Sequence, residues 1–173
     1  MKYGVYIIQD CGTGTKSMPF FAESDLVAKR QFAATLRTLP PSVRGDFKVD
    51  VREENDIKIA LETIVKNDLK LDAVFNNAGF GQPGAVEDLS VKVLKKQFDT
   101  NFFGLHEVTI QAMKLFRKQG FGKIIQHSSV LGIISLKFRG AYNASKYAIE
   151  GLNDTLRQEV LGSQIYISTN GLS

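Results

Sequence analysis

Tyr142 and Lys146 stand four residues apart in Gly140-Ala141-Tyr142-Asn143-Ala144-Ser145-Lys146, a spacing that puts both side chains on one face of a helix, one turn apart. A phenol normally keeps its proton to about pH 10, and a neighbouring ammonium favours the phenolate and lowers that value. Such a pair can exchange a proton with an alcohol or a carbonyl oxygen. The pair alone is a weak signal, because a half-buried tyrosine beside a solvated lysine has the same spacing. Two further polar groups sharpen it: Ser129, thirteen residues before Tyr142, and Asn76-Asn77-Ala78-Gly79, after the apolar Ala73-Val74-Phe75; Asn101, in Asp99-Thr100-Asn101-Phe102-Phe103-Gly104, lies in the long helical pattern between them. Taken singly, Asn76 and Gly79 could close a turn, Ser129 could satisfy loop backbone, and Asn101 could simply interrupt a helix. His106 and His127 lack the carboxylate or cysteine pattern of a metal site and read as packed or solvated side chains, so no metal is expected. Cys11 reads as a small apolar residue.

The elements that must position these groups follow from periodicity. Four short apolar, β-branched stretches read as buried strands: Tyr3 to Ile8, Leu71 to Asn76, Lys123 to His127 and Gln164 to Ser168. Helical patterns cover Glu53 to Asn67, Leu89 to Lys118 and Tyr142 to Leu161, the last with Ala144, Ala148, Leu152, Leu156 and Val160 on one face. Phe98, Phe102 and Phe103 read as core or helix-packing surface. Strands alternating with helices specify a doubly wound parallel α/β sheet, Rossmann-like, in one domain spanning residues 1–173. Ligands in such sheets bind at the carboxyl ends of the strands, where Cys11 to Thr15, Asn76 to Gly79 and Ser128-Ser129 would share one crevice.

Composition narrows the class. A chain of 173 residues, 43% apolar and 23% charged, is an ordinary globular protein rather than a disordered, collagenous or disulfide-stapled one. A single cysteine cannot pair within the chain and points to a reducing compartment, with the cytoplasm as the default. No apolar run reaches the roughly 18 residues of a membrane span, so no membrane partner is expected. The net charge of +4 is scattered among acids, which leaves no electrostatic footprint for nucleic acid.

The ordered set Asn76 to Gly79, Asn101, Ser129 and Tyr142 with Lys146 resembles the short-chain dehydrogenase/reductase family, from roughly Asp50 to Ser168. The run Phe75 to Leu89 is similar to the branch holding bacterial oxidoreductases and the retinol and 17β-hydroxysteroid dehydrogenases. The resemblance implies an enzyme that transfers hydride between a nicotinamide cofactor, NADP or NAD, and a small alcohol or carbonyl substrate. Tyr142 would be the general acid or base, Lys146 would lower its pKa and bind the nicotinamide ribose, and Ser129 would polarise the substrate oxygen. Asn101 would position a water linking Lys146 to solvent. Asn76, Ala78 and Gly79 would line the adenosine side, and Asp50 would meet the adenine. The helices carrying Asn101 and Tyr142 form a subunit interface in the family, which implies a homodimer or homotetramer.

The resemblance weakens at both ends. The family's glycine-rich T-G-x-x-x-G-x-G gives way to Gln9-Asp10-Cys11-Gly12-Thr13-Gly14-Thr15, so only Gly12 and Gly14 remain to approach the cofactor phosphates. Gly14-Thr15-Lys16-Ser17 lacks the spacing of a P-loop. If Asp25 to Arg30 is the second strand, Lys29 and Arg30 favour NADP slightly, but the first crossover is incomplete. If Phe20 to Leu39 is instead one helix, the second strand is missing. The last strand and substrate lid of the family would follow Ser168 and are missing, which marks a truncated or divergent member. The rival reading is a non-catalytic relic that acts at most as a binding or dimerisation module.

Overall fold

The computed structural model describes residues 5–8, 50–66 and 70–171. They form, in chain order, β1 (Val5–Ile8), α1 (Glu54–Lys66), β2 (Ala73–Asn76), α2 (Val91–Phe98), α3 (Leu105–Gln119), β3 (Gly122–His127), α4 (Gly140–Glu159) and β4 (Ile165–Asn170). The four strands make one parallel sheet in the order β1-β2-β3-β4, the α/β Rossmann-like arrangement read from the sequence. Parallel neighbours need crossover connections, and α3 and α4 supply those between β2, β3 and β4. In register, Asn76 at the end of β2 lies beside Gln126 of β3, and His127 lies beside Asn170 of β4. This brings the carboxyl ends of the strands together, and Ser128 then donates its N–H to the Asn170 carbonyl at 2.9 Å.

The core fills the space between the sheet and its helices. Val74 and Ile124 of the sheet and Ile57 of α1 meet Val108, Ala112 and Phe116 of α3, all six fully buried, and each large side chain contributes about 1.5–3 kcal/mol of hydrophobic stabilisation. Two glycines permit close approach here. A Cβ on Gly104 would lie 2.9 Å from the Val51 carbonyl oxygen, so the start of α3 can press on the turn before α1 only without a side chain. Gly120 ends α3 in the left-handed region, φ 86°, and returns its N–H to the Phe116 carbonyl at 2.8 Å.

Gly122 carries a testable consequence of this packing. A Cβ there would sit 2.2 Å from Cγ of the buried Phe116 ring, too close for any side chain. Gly122→Ala is therefore expected to lower the unfolding free energy by about 1–3 kcal/mol through overpacking, read as an earlier urea midpoint at unchanged slope. An unshifted midpoint would mean that the ring swings aside without cost.

The helix read as Leu89 to Lys118 is interrupted. Ser90 caps α2 by accepting the Val93 N–H at 3.3 Å, and Asp99–Gly104 then winds as a π turn before α3. The wider turn takes up an extra residue, which a simple three-to-four periodicity cannot register. The phenylalanines do not form core: Phe98 and Phe102 are half-buried, Phe103 is 55% exposed, and their rings pack on one another at 5.4–6.4 Å. On α4 the buried side is Ala141, Tyr142, Asn143, Ser145, Lys146, Ile149 and Asn153. Of the apolar face read from spacing, Val160 joins the core and Leu156 packs against it, whereas Ala144 is exposed and Leu152 lines a groove against α3. Among the described residues, no helix is long and apolar enough to cross a membrane. Gly12, Gly14, Lys29, Arg30 and Cys11, with the first crossover and the reversal of strand order, lie outside the described residues, as does the chain past Gly171.

Candidate active site

Ser129 leaves β3 in an extended conformation and caps the short turn Val130–Gly132 by accepting the Leu131 N–H at 3.1 Å. Its hydroxyl lies near enough to the Tyr142 phenol to help lower that group's pKa. Tyr142, 6% exposed, sits in the first turn of α4, and Lys146 follows one turn on at 3% exposure. The Lys146 Nζ donates to the His127 carbonyl at 2.6 Å and lies 5.4 Å from the centre of the Tyr142 ring. The ends of β3 and α4 thus bring Ser129, Tyr142 and Lys146 into one cluster, as their spacing suggests.

Electrostatics in the cluster differ from the expectation that Lys146 depresses the Tyr142 pKa. Burial pushes the Tyr142 phenol above its usual range, while the nearby Ser129 hydroxyl and the positive charge of Arg139 pull it back. Burial likewise drives the Lys146 amine down to about 7, against an opposing pull from the Glu150 carboxylate. The physical reason is desolvation: both groups lie in a dry environment that disfavours their charged forms. The Lys146 nitrogen faces the His127 carbonyl and the face of the ring. Near neutral pH the resting cluster therefore holds a protonated phenol beside an amine poised between its two forms, which suits proton donation.

Asn101 has its carboxamide engaged by the loop after β2. It is buried in the π turn, where its Oδ1 accepts the Phe80 N–H at 3.0 Å and its Nδ2 donates to the Phe80 carbonyl at 2.9 Å. Nδ2 also reaches the Ser145 hydroxyl at 3.3 Å, and that hydroxyl donates to the Tyr142 carbonyl at 2.8 Å. The Asn101 carboxamide thus ties the loop after β2 to the first turns of α4.

The proposed adenosine side is placed less uniformly. Asn76 turns its amide inward, donating to Gln126 Oε1 at 2.8 Å and Thr109 Oγ1 at 3.1 Å. At 4% exposure it is a strut between sheet and α3. The cause is the pleat, which points alternate side chains to opposite faces and gives Asn76 to the helix side. Ala78 packs half-buried on the core, and Gly79 is exposed, where a Cβ would come 3.1 Å from Asn101 Oδ1. The Asp50 carboxylate receives the Arg52 guanidinium and the Arg52 N–H, which hold its pKa below the usual carboxylate range.

Gln97, Arg139, Ser145 and Gly81 join the site without having been singled out in the sequence. Gln97 falls one turn before Asn101 and Arg139 three residues before Tyr142, so same-face spacing was the available signal.

Comparison with known proteins places this arrangement. The family profile described as short chain dehydrogenase matches residues 26–171. The chain is 43% identical over 111 residues to the uncharacterized oxidoreductase YbbO of Escherichia coli (strain K12), a match that covers 64% of this chain and 41% of that protein. It is 33% identical over 121 residues to retinol dehydrogenase 8 of Bos taurus, covering 70% of this chain and 38% of that one. Both directions of the resemblance read from the sequence, bacterial oxidoreductases and retinol dehydrogenases, are therefore met. The chain spans about two fifths of the length of the curated relatives it matches. In fold, it is similar to the solved structure of ElxO with NADP bound, with a TM-score of 0.77 at 20% identity, covering 99% of this chain and 73% of that one.

Proposed function

Because the chain belongs to the short chain dehydrogenase family, we propose that Ser129, Tyr142 and Lys146 are the proton-transfer centre of a nicotinamide-dependent oxidoreductase acting on a small alcohol or carbonyl compound. The observation that carries this reading is the buried phenol of Tyr142, with the Ser129 hydroxyl beside it and the buried Lys146 amine 5.4 Å from the centre of its ring. Few structural roles would stabilise two ionisable groups in one dry pocket, and perturbed pairs of this kind cluster at reactive sites.

The residues present fit a nicotinamide cofactor in part. Gly79 is exposed and lacks the Cβ that would crowd Asn101, so backbone can approach a ligand there. Ala78 and Gly79 would hold the adenosine side through their backbone, Asp50 the adenine, and Gly12 and Gly14 the phosphates. Lys146 would bind the ribose. When bound, the cofactor supplies or accepts the hydride at the substrate carbon. Tyr142 donates its phenolic proton to the substrate oxygen in reduction and removes it in oxidation. Ser129 holds that oxygen by a hydrogen bond that strengthens as negative charge develops. Lys146, near its pKa at neutral pH, restores the proton and steadies a transient phenolate.

One Rossmann-like domain, residues 1–173, uses NADP in preference to NAD on the strength of Lys29 and Arg30. It works in a reducing cytoplasmic setting favoured by its single cysteine, as a homodimer or homotetramer. The groove between α3 and α4, lined by Ile110, Met113, Leu152 and Leu156, supports assembly through those helices. The rival, a non-catalytic binding or dimerisation module, shares the fold and would lack cofactor affinity.

Titrating NADPH and NADH into the purified chain while following nicotinamide fluorescence separates the two. Saturable enhancement, stronger for NADPH, is expected, and no binding at millimolar cofactor would overturn the enzymatic reading in favour of the module. With carbonyl reduction established, Ser129→Ala is expected to lower kcat about 10²-fold, the scale of one lost oxyanion donor. Full turnover in that variant would remove Ser129 from the mechanism.

A further inference from the structure

The loop after β2 runs beside the candidate acid itself, with room for little more than the missing Gly81 side chain between them. A Cβ built on Gly81 would lie 3.6 Å from the Tyr142 ring and 3.5 Å from Nη1 of Arg139. What holds this loop against the ring is a pair of carboxamides one helical turn apart. Gln97, wholly buried at the end of α2, donates through Nε2 to the Phe80 carbonyl at 2.6 Å and accepts the Gln82 N–H on Oε1 at 2.8 Å. Asn101 adds its reciprocal pair of bonds to the Phe80 N–H and carbonyl. Three backbone groups of one short loop are thereby satisfied by two side chains from the same helical face.

A primary carboxamide carries a donor and an acceptor on one rigid plane, which suits it to grip a backbone segment at two points. Burying such a group is costly unless both ends are bonded. An apolar residue at position 97 could fill the space, yet it would leave the Gln82 N–H without this partner. From Asn101 the network continues through the Ser145 hydroxyl to the backbone carbonyl of Tyr142, so the clamp reaches Tyr142 both through the loop and through α4.

We propose that Gln97 is a positioning residue for the Tyr142 centre, clamping Phe80 to Gln82 together with Asn101 so that the loop keeps its seat on the Tyr142 ring. The inference rests on the reading of Tyr142 as proton donor. Gln97 touches neither substrate nor reacting atoms, and its effect is on the geometry and dryness around the phenol. Misplacement of a catalytic group by about 1 Å can cost about 10² in rate, and a loop freed at two of its bonds allows movement on that scale.

The test compares Gln97→Leu, which removes both bonds, with Gln97→Glu, which keeps the acceptor for Gln82 but loses the donor to Phe80. In Gln97→Leu the Gln82 amide is expected to exchange its hydrogen at least about tenfold faster. The kcat for carbonyl reduction should fall about tenfold or more with KM little changed, and Gln97→Glu should retain more of both properties. The Tyr142 phenolate, isolated by its ultraviolet difference from Tyr142→Phe, should titrate closer to the ordinary value of about 10 as water reaches the ring.

Unchanged Gln82 protection in Gln97→Leu would overturn the proposal. So would lost protection with parental kcat and phenol titration. Should the leucine variant fail to fold, Gln97→Glu decides alone, and parental kcat and titration in it would count against the clamp. If Tyr142→Phe keeps full activity, the reading of the site fails, while exchange and titration still judge the clamp.

Discussion

Tyr142→Phe is expected to lower turnover of a carbonyl substrate by about two to four orders of magnitude, the contribution of a positioned general acid, while leaving the fold in place. The substitution removes one oxygen from a side chain whose ring stays buried beneath the Lys146 amine. Hydrophobic burial of the ring is retained, and the chief loss is the polar contact of the phenol oxygen with Ser129, about 1 kcal/mol or less. Circular dichroism and the urea midpoint should therefore move little. Cofactor fluorescence should persist, because binding does not require the phenolic proton. Parental turnover in this variant would sink the assignment of the acid, whereas equal losses of activity and of folded structure would show a structural role. Since burial holds the phenol above its ordinary pKa, the protonated form prevails at neutral pH and the reductive direction should be the faster one.

The second large effect concerns stability. Lys146 titrates at about 10.5 in the unfolded chain and near 7 when folded, because the folded protein takes its amine out of water. Below pH 7 both states carry the proton, and the fold bears the whole cost of a buried charge, roughly 5 kcal/mol. Between about 7 and 10.5 the unfolded chain binds more protons, so stability must rise with pH by up to about 1.4 kcal/mol per unit. Above that window the cost is gone.

Lys146→Met removes this dependence. It also gives up the bond to the His127 carbonyl, at about 1–3 kcal/mol. The variant is thus expected to be inactive yet more stable than the parent at pH 6 by a few kcal/mol, an advantage that shrinks to about 1 kcal/mol or less by pH 9. Urea unfolding at pH 6, 7.5 and 9 checks it, below the range where the raised Tyr142 pKa acts in the opposite sense. A parent whose stability is flat across that range would show that water or the Glu150 carboxylate already compensates the charge.

Much of this arrangement was legible in the sequence because it rests on short-range rules. Apolar runs closed by Asn76 and by Ser128-Ser129 located β2 and β3 to within a residue or two, and the four-residue step from Tyr142 to Lys146 placed both on α4. What the sequence concealed depends on tertiary context. The break in the helix around Asn101 leaves a nearly continuous apolar rhythm, since a π turn shifts that rhythm by only one residue. The polar side of α4 lies inward because Ser145, Lys146 and Asn153 find partners or burial there, whereas periodicity assigns the core to apolar positions. The sign of the Tyr142 shift was hidden too: proximity of a lysine suggests a lowered pKa, and only the burial of both groups reveals that desolvation prevails.

The π turn at Asp99–Gly104 gives α2 and α3 separate angular phases along one continuous rod. Upstream of it, Gln97 is aimed at the loop, and within it Asn101 is aimed at both loop and α4; downstream, Leu105, Val108 and Ala112 are aimed at the sheet. A uniform helix would tie those directions together at a fixed angle, so that any change improving the hydrophobic seat would turn the polar grip. The extra residue acts as a clutch between them, and the chain can adjust how tightly α3 beds on the sheet without retuning the hand that holds the reactive tyrosine.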